Sequence, residues 1–234
     1  LGGLPWHEVE QVIQTSLAEL QDLDWRIYPP QTAPIAELMP NQTRRPRMTI
    51  GRAAVLGLSD RYVSTGFGFR LSLLEVQTLV YFLTVVGEPL NKVVFKKHHY
   101  GPYADVLRHV LDKMEGHFIS GYADGLNKPE TPIHLKDDAA KEALSFLAQH
   151  SETKQRFDKV AKLIEGYESQ NGMELLSTVH WVVTQESDAA VSAAELIERV
   201  HSWNARKAAM KPAHILAAWE RLSEQGWLEL KAQV

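Results

Sequence analysis

The sequence predicts a mainly α-helical fold with a few short β-strands, an α+β domain ending in a winged-helix-like three-helix unit. Three observations carry this prediction. Apolar residues recur at helical spacing over most of the chain after residue 48. The runs that alternate like strands are short and few. Prolines gather in residues 29–47, where Pro29, Pro30, Pro34, Pro40 and Pro46 make up five of the chain's eleven. Proline fixes φ and removes a backbone donor, so that stretch reads as an extended linker between a short N-terminal piece and the helical domain at 48–234.

Residues 4–23 read as a helix, with Pro5 suited to a first helical position and Val9, Val12, Ile13, Leu17 and Leu20 forming one stripe. Residues 24–28 alternate like a strand. One helix and one strand cannot bury both their faces, so residues 1–28 read as the C-terminal remnant of another domain. The linker ends in Arg44-Arg45-Pro46-Arg47, best taken as a solvated linker end. Thr49 caps a helix to about residue 65, and Ser72 caps one to about residue 87 that is apolar on most sides, as a central helix must be. Residues 92–97 suggest a strand holding Val93, Val94 and Phe95. Residues 103–114 suggest a helix with Val106, Leu107, Val110, Leu111 and Met114 on one face. Residues 118–122 and 132–135 are expected to pair around a turn at Asp124-Gly125. Helices are then expected at 137–149, 151–167, 172–185 and from Ser192, whose Glu195 completes a capping box. A last helix runs from Lys211-Pro212 to Gly226, and residues 227–230 alternate like a terminal strand. Residues 172–234 thus have the layout of a helix-turn-helix with a wing.

Composition excludes several function classes. With 234 residues, 44% hydrophobic and 23% charged, the chain is of globular type. Its net charge of −4 and pI near 6.2 weigh against nucleic acid as the principal partner. There is no cysteine, hence no disulfide, thiolate metal site or cysteine nucleophile, which suits a reducing cytoplasm, the expected location. No apolar run reaches the ~18 residues of a membrane span; the nearest, 71–86, is broken by Ser72, Glu75, Gln77, Thr78 and Thr84. No basic-then-apolar leader is visible, and a start at Leu1 rather than Met reads as a piece of a longer chain.

No catalytic constellation assembles. Gly66-Phe67-Gly68 is too short for a dinucleotide turn, and no phosphate-binding loop or Gly-x-Ser-x-Gly elbow occurs. Ten histidines lack metal-ligand spacing: His98 and His99 are adjacent, His109 and His117 lie eight apart, and no His-Glu-x-x-His exists. Asp137-Asp138 serves to open a helix. No catalytic residue, metal or cofactor is therefore expected. From residue 172 onward six Lys or Arg face eight Asp or Glu, a poor balance for a DNA-reading helix, and Trp181, Trp203, Trp219 and Trp227 are expected mainly to fill that unit's core. The densest binding signal is 92–125, where five Lys or Arg and two Asp up to residue 113 accompany histidines and tyrosines. Such groups form a binding surface, or the tyrosines fill a core edge that the lysines solvate.

The run Lys97-His98-His99-Tyr100-Gly101-Pro102-Tyr103-Ala104, then Leu107-Arg108-His109-Val110-Leu111, then Glu115 to Gly125, resembles the C-terminal domain of the DarG antitoxins. Leu74-Glu75-Val76, Tyr81-Phe82-Leu83, Gly87-Glu88-Pro89-Leu90 and Glu174 to Trp181 agree with it, and Gly2-Gly3-Leu4-Pro5-Trp6 is similar to the end of the DarG macrodomain. The Tyr-Gly-Pro turn is also similar to antitoxin domains of the Panacea type. The resemblance implies a cytoplasmic antitoxin module that binds and neutralises a DarT-like DNA ADP-ribosyltransferase toxin by occupying its single-stranded DNA site. It also implies that the family's glycohydrolase residues, including a catalytic lysine, lie upstream, so that these residues are no enzyme. The family's toxin contacts do not map onto single positions here; the motif residues expected to bind the toxin are Lys97, His98, His99, Tyr100, Tyr103, His117, Tyr122 and Asp124. Acids placed to imitate phosphates are Asp124, Glu130, Asp137, Asp138, Glu165 and Glu168. The alternative is a winged-helix regulator of the toxin–antitoxin operon. DNA is a secondary partner and no membrane is involved.

Overall fold

The computed structural model describes residues 5–18, 20, 27–29, 43–65, 68, 70–90, 92–122, 128–186 and 192–229. Backbone contacts divide the chain into two units, residues 1–41 and 42–234. In the first, α1 (Trp6–Leu17) is shorter than expected, and Pro5 stands just before it at ψ 137° instead of inside its first turn. None of its residues is buried, and Val12 of its apolar stripe is 66% exposed. Most of the expected strand at 24–28 and of the linker lies outside the described residues.

The second unit is helical around one core. α2 (Ile50–Val63) starts where Thr49 accepts a hydrogen bond from the Arg52 amide. α3 (Leu73–Val85) starts with a full capping box, in which Ser72 and Glu75 satisfy each other's backbone donors. All thirteen residues of α3 are buried, as a helix apolar on every side requires. Two hairpins and a helix follow. β1 (Lys96–His98) pairs antiparallel with β2 (Gly101–Tyr103), then comes α4 (Val106–Met114), and β3 (Ile119–Ser120) pairs antiparallel with β4 (His134–Leu135). The pairing of the second hairpin matches the expectation; its Asp124-Gly125 turn lies outside the described residues. The expected strand at 92–97 is displaced. Val93 and Phe95 point inward and Val94 outward, but the ladder begins only at Lys96, because Gly101 and Pro102 belong to the three-residue returning strand and the chain turns at His99 and Tyr100, so only Lys96–His98 find partners.

α5 (Ala139–Leu147), α6 (Ser151–Ile164) and α7 (Gln170–Gln185) complete the core with α10 (Pro212–Glu224). Ser169 caps α7 through the Gly172 amide, and Gly172 is required there: a Cβ would lie 2.5 Å from the Tyr167 carbonyl. α7 lies against α3, where the Tyr81 hydroxyl meets His180 Nδ1 at 2.7 Å. His180 Nε2 lies 3.0 Å from the Trp227 carbonyl, which can only accept, so Nε2 carries a proton and Nδ1 is left to accept from Tyr81. Tyr81, Phe82, His180 and Trp227 are almost wholly buried, with Phe82 edge-on to Trp227 at 5.3 Å.

The C-terminal part departs from a winged helix. α8 (Ala193–Ser202) is capped by Ser192 as expected, but a break at Trp203 and Asn204 precedes a separate short helix, α9 (Ala205–Ala208). Residues 227–229 form no strand, residues 228 and 229 lying in a turn, because Trp227 leaves the surface and plugs the core; the last residue of the expected strand lies outside the described residues. Trp181 is buried too, whereas Trp203 and Trp219 are half-buried. No helix among the described residues is long and apolar enough to cross a membrane.

Candidate nucleic-acid interface

The β1–β2 hairpin turns at His99 and Tyr100, with His98 opposite Gly101. Gly101 has φ +128°, a backbone conformation L side chains avoid, and a Cβ there would lie 3.3 Å from Ser177 Oγ on α7. The glycine therefore lets β2 lie directly on α7. What fixes the tip is a clamp from the α8–α9 break. Trp203 Nε1 donates to the His98 carbonyl at 2.9 Å, Asn204 Nδ2 to the His99 carbonyl at 2.9 Å, and Lys207 Nζ to the Tyr100 carbonyl at 3.2 Å. Three consecutive carbonyls are thus tied down by side chains that are distant in sequence.

The clamp is anchored on Glu174 of α7. Arg206 grips this carboxylate through Nε at 2.9 and 3.0 Å and Nη2 at 2.8 Å, and Lys207 Nζ reaches it at 2.5 Å. Lys207 is fully buried, and burial outweighs the attraction of Glu174, so its pKa falls to about 8. The Arg206 guanidinium sits 5.3 Å from the Tyr100 ring centre, and the Tyr100 hydroxyl donates to Glu130 at 2.5 Å. That bond raises the pKa of the phenol and lowers that of Glu130.

The sequence-predicted contacts divide between this face and the interior. Lys97 is exposed, lies 4.3 Å from the Trp203 ring centre and pairs with Glu186 at 2.7 Å. His98 and His99 are exposed; the His98 ring lies 4.6 Å from that of Tyr103, and burial, then the neighbouring His99 and Lys96 charges, lower its pKa. Tyr100 is half-buried at the tip. Tyr103 and Tyr122 are core residues, 4% and 5% exposed, so of the two readings of the tyrosines the core edge holds for these two. Tyr103 still accepts from Arg108 Nε at 2.6 Å, and the Tyr122 amide is held by Glu115. His117 lies apart from the hairpin, its Nε2 2.7 Å from Thr43 Oγ1; burial and the Arg45 and Lys136 charges lower its pKa. Asp124 lies outside the described residues. Of the acids expected to imitate phosphates, Glu130 is tied to Tyr100 and Glu165 to Arg61, while Glu168 is buried and accepts from the Gly166 amide.

A second concavity of about 710 Å³ is walled by Asp60, Arg70, His134, Lys136 and Asp137; burial raises the Asp60 pKa, while Lys136 is spent on the Gly116 carbonyl. Among the described residues no group of three or more His, Asp or Glu is placed to hold a metal ion. Sequence reasoning missed Trp203, Asn204, Arg206 and Lys207 as parts of the hairpin site. The only signal was Asn204 standing where a helix N-cap fits, since its side chain caps α9 through the Lys207 amide.

No family model matches the chain. A DNA ADP-ribosyl glycohydrolase of Thermus aquaticus is 39% identical over 227 residues, 97% of this chain and 61% of that protein. Proteins of the same name from Mycobacterium bovis and Mycobacterium tuberculosis are 34% identical over 218 residues, 88% of this chain and 60% of theirs. The chain thus spans about 60% of the length of the relatives it matches. These alignments correct two expectations. A non-enzymatic module that neutralises a toxin does not fit, because nearly the whole chain aligns within proteins named as hydrolases. The winged-helix regulator fits no better, since residues 227–229 form no wing strand. Along most of its length the chain is similar, at 34–39% identity, to proteins named DNA ADP-ribosyl glycohydrolase.

Proposed function

We propose that this chain acts in the hydrolytic removal of ADP-ribose from DNA, and that the β1–β2 hairpin face is where it meets the nucleic acid. The observation that carries the first part is the 39% identity over 97% of the chain to a protein of that name. In such a reaction water forms a bond to the anomeric carbon of the ribose, the bond from that carbon to DNA breaks, and a proton passes to the DNA atom that leaves.

Geometry supports the second part. Lys96, Lys97, His98 and His99 are exposed on one short hairpin with Tyr100 at its tip. Lys96 pairs with Asp105 at 2.5 Å and Lys97 with Glu186 at 2.7 Å. Exposed pairs of this kind are worth about 0–1 kcal/mol, so a phosphate can replace either acid at little cost. Tyr100 and the histidines offer rings on which bases stack, a contact worth roughly 1–3 kcal/mol per base. The clamp holds the loop in one shape before the strand arrives, which lowers the entropy lost on binding.

The test offers the protein a single-stranded oligonucleotide carrying ADP-ribose and follows free ADP-ribose by mass spectrometry. Release is expected, together with about tenfold weaker oligonucleotide binding at low salt for the Lys96→Glu/Lys97→Glu variant. An oligonucleotide that keeps its modification would overturn the hydrolytic reading. Unchanged affinity in the variant would remove the hairpin as the interface.

A further inference from the structure

Behind the hairpin clamp, α7, α9 and the start of α10 enclose a cleft of about 400 Å³. That volume falls within the range of about 300–1,000 Å³ common for small-ligand sites. Its walls include Glu174, Leu175, Arg206, Met210, Lys211 and His214. Glu174 is the one acid in this lining, and it is neutralised twice, by the Arg206 fork and by Lys207 from beneath. The cleft therefore presents cationic character despite the chain's net charge of −4.

The donors point to one kind of ligand. Arg206 spends Nε and Nη2 on Glu174, and among the described residues its Nη1 has no partner. Held by the carboxylate on one side and lying against Tyr100, the guanidinium is oriented in advance. A guanidinium so fixed matches the geometry of phosphate oxygens better than a mobile ammonium does. Lys211 and His214, both exposed, add two more donors, neither with a side-chain partner among the described residues. Leu175 and Met210 give the same cleft an apolar wall suited to a sugar or base. A bare anion would use the cations and leave that wall empty.

We propose that this cleft is a phosphate site for a nucleotide-bearing ligand, held by Arg206, Lys211 and His214. The phosphate has two possible sources, the pyrophosphate of ADP-ribose or the phosphodiester of a DNA strand; the choice of ADP-ribose as probe rests on the proposed glycohydrolase reading, the cleft itself on its geometry. Lys211→Gln/His214→Gln is the informative variant, because both side chains are exposed and neither belongs to the clamp.

The experiment titrates ADP-ribose, an unmodified single-stranded decanucleotide and inorganic phosphate into the full chain by calorimetry, with the His214 ring proton followed by NMR. Binding of ADP-ribose alone, with a moving His214 signal and at least tenfold loss in the variant, assigns the pyrophosphate. The same pattern with the decanucleotide assigns the strand backbone. Millimolar or absent binding of both, inorganic phosphate binding as tightly as either, or an unchanged variant overturns the site. Release of ADP-ribose from DNA by a variant with unaltered affinity would remove the cleft and leave the hydrolytic reading standing. Cleft binding without release would do the reverse.

Discussion

α3 and the β1–β2 hairpin lie in the same unit yet are held by different physics. Every residue of α3 is buried, whereas the three residues of β1 are all exposed. α3 is kept in place by area: each large apolar side chain taken from water contributes about 1.5–3 kcal/mol, whichever neighbour covers it. The second strand of the hairpin is buried on α7, but its exposed first strand and tip are kept in place by direction, through three donors aimed at three carbonyls and a carboxylate gripped by two cations. Loss of area is felt everywhere in a packed core, while loss of a directed bond is felt where the bond was. Phe82→Ala, at a fully buried site against Tyr81, His180 and Trp227, is the largest break of the first kind. It should cost about 3–5 kcal/mol. Urea unfolding should shift equally by tryptophan fluorescence and far-ultraviolet circular dichroism.

The second break sharpens the comparison, because it separates the charge of the clamp from its shape. The Lys207 pKa is lowered from its ordinary 10.5 to about 8, with burial as the largest cause and the Arg206 charge adding to it against the attraction of Glu174. A base whose folded pKa is depressed binds fewer protons folded than unfolded between those two values. Stability from this group therefore rises as pH climbs from about 8 toward 10.5, and below about 8 the full penalty of the buried charge remains. Between pH 8 and 9.5 the gain is roughly 2 kcal/mol. Going higher confuses the result, since burial holds the Tyr62 and Tyr81 hydroxyls neutral in the folded state only. Lys207→Met leaves Glu174 to Arg206 and should remove the rise. A variant whose unfolding free energy climbs with pH as steeply as the wild type would show that Lys207 is not its source.

Legibility in the sequence follows the same division. Helices whose ends are written locally were readable: Thr49, Ser72 and Ser192 each cap where a small oxygen-bearing side chain precedes an apolar periodic run. The β3–β4 pairing was readable because both segments alternate, and Ser120 does stand opposite His134. Features decided by distant partners were not. Nothing near Lys207 announces that its ammonium is buried against Glu174, thirty-three residues away. The alternation at 227–230 read as a strand, but Trp227 had a cavity beside Phe82 and His180 to fill, and burying an indole outweighs a two-residue ladder. Among the predicted site residues the Lys97–Tyr100 run marked a surface, whereas Tyr103 and Tyr122 carried the same aromatic signal for a core role. Periodicity does not distinguish those cases.

The smallest expected effect is the most specific to the hairpin. Trp203→Phe keeps a ring beneath Lys97, 4.3 Å from it in the wild type, and removes only the Nε1 donor to the His98 carbonyl. The freed carbonyl lies on an exposed residue and can turn to water, so the global cost should stay near 1 kcal/mol or below. Local consequences should be larger than global ones. With one of three anchors gone, the tip keeps Asn204 on His99 and Lys207 on Tyr100, but its first strand is released from the α8–α9 break. Amide exchange should accelerate within residues 96–103 and stay at wild-type rates in α3 and α7. If the hairpin binds DNA as proposed, oligonucleotide affinity should fall as well, because a loop no longer shaped beforehand loses more entropy on binding, even though none of the residues proposed to meet the strand is altered. Exchange that quickens uniformly through the unit would instead mean that Trp203 acts as ordinary core, and the contrast between area and direction would fail at its own test site.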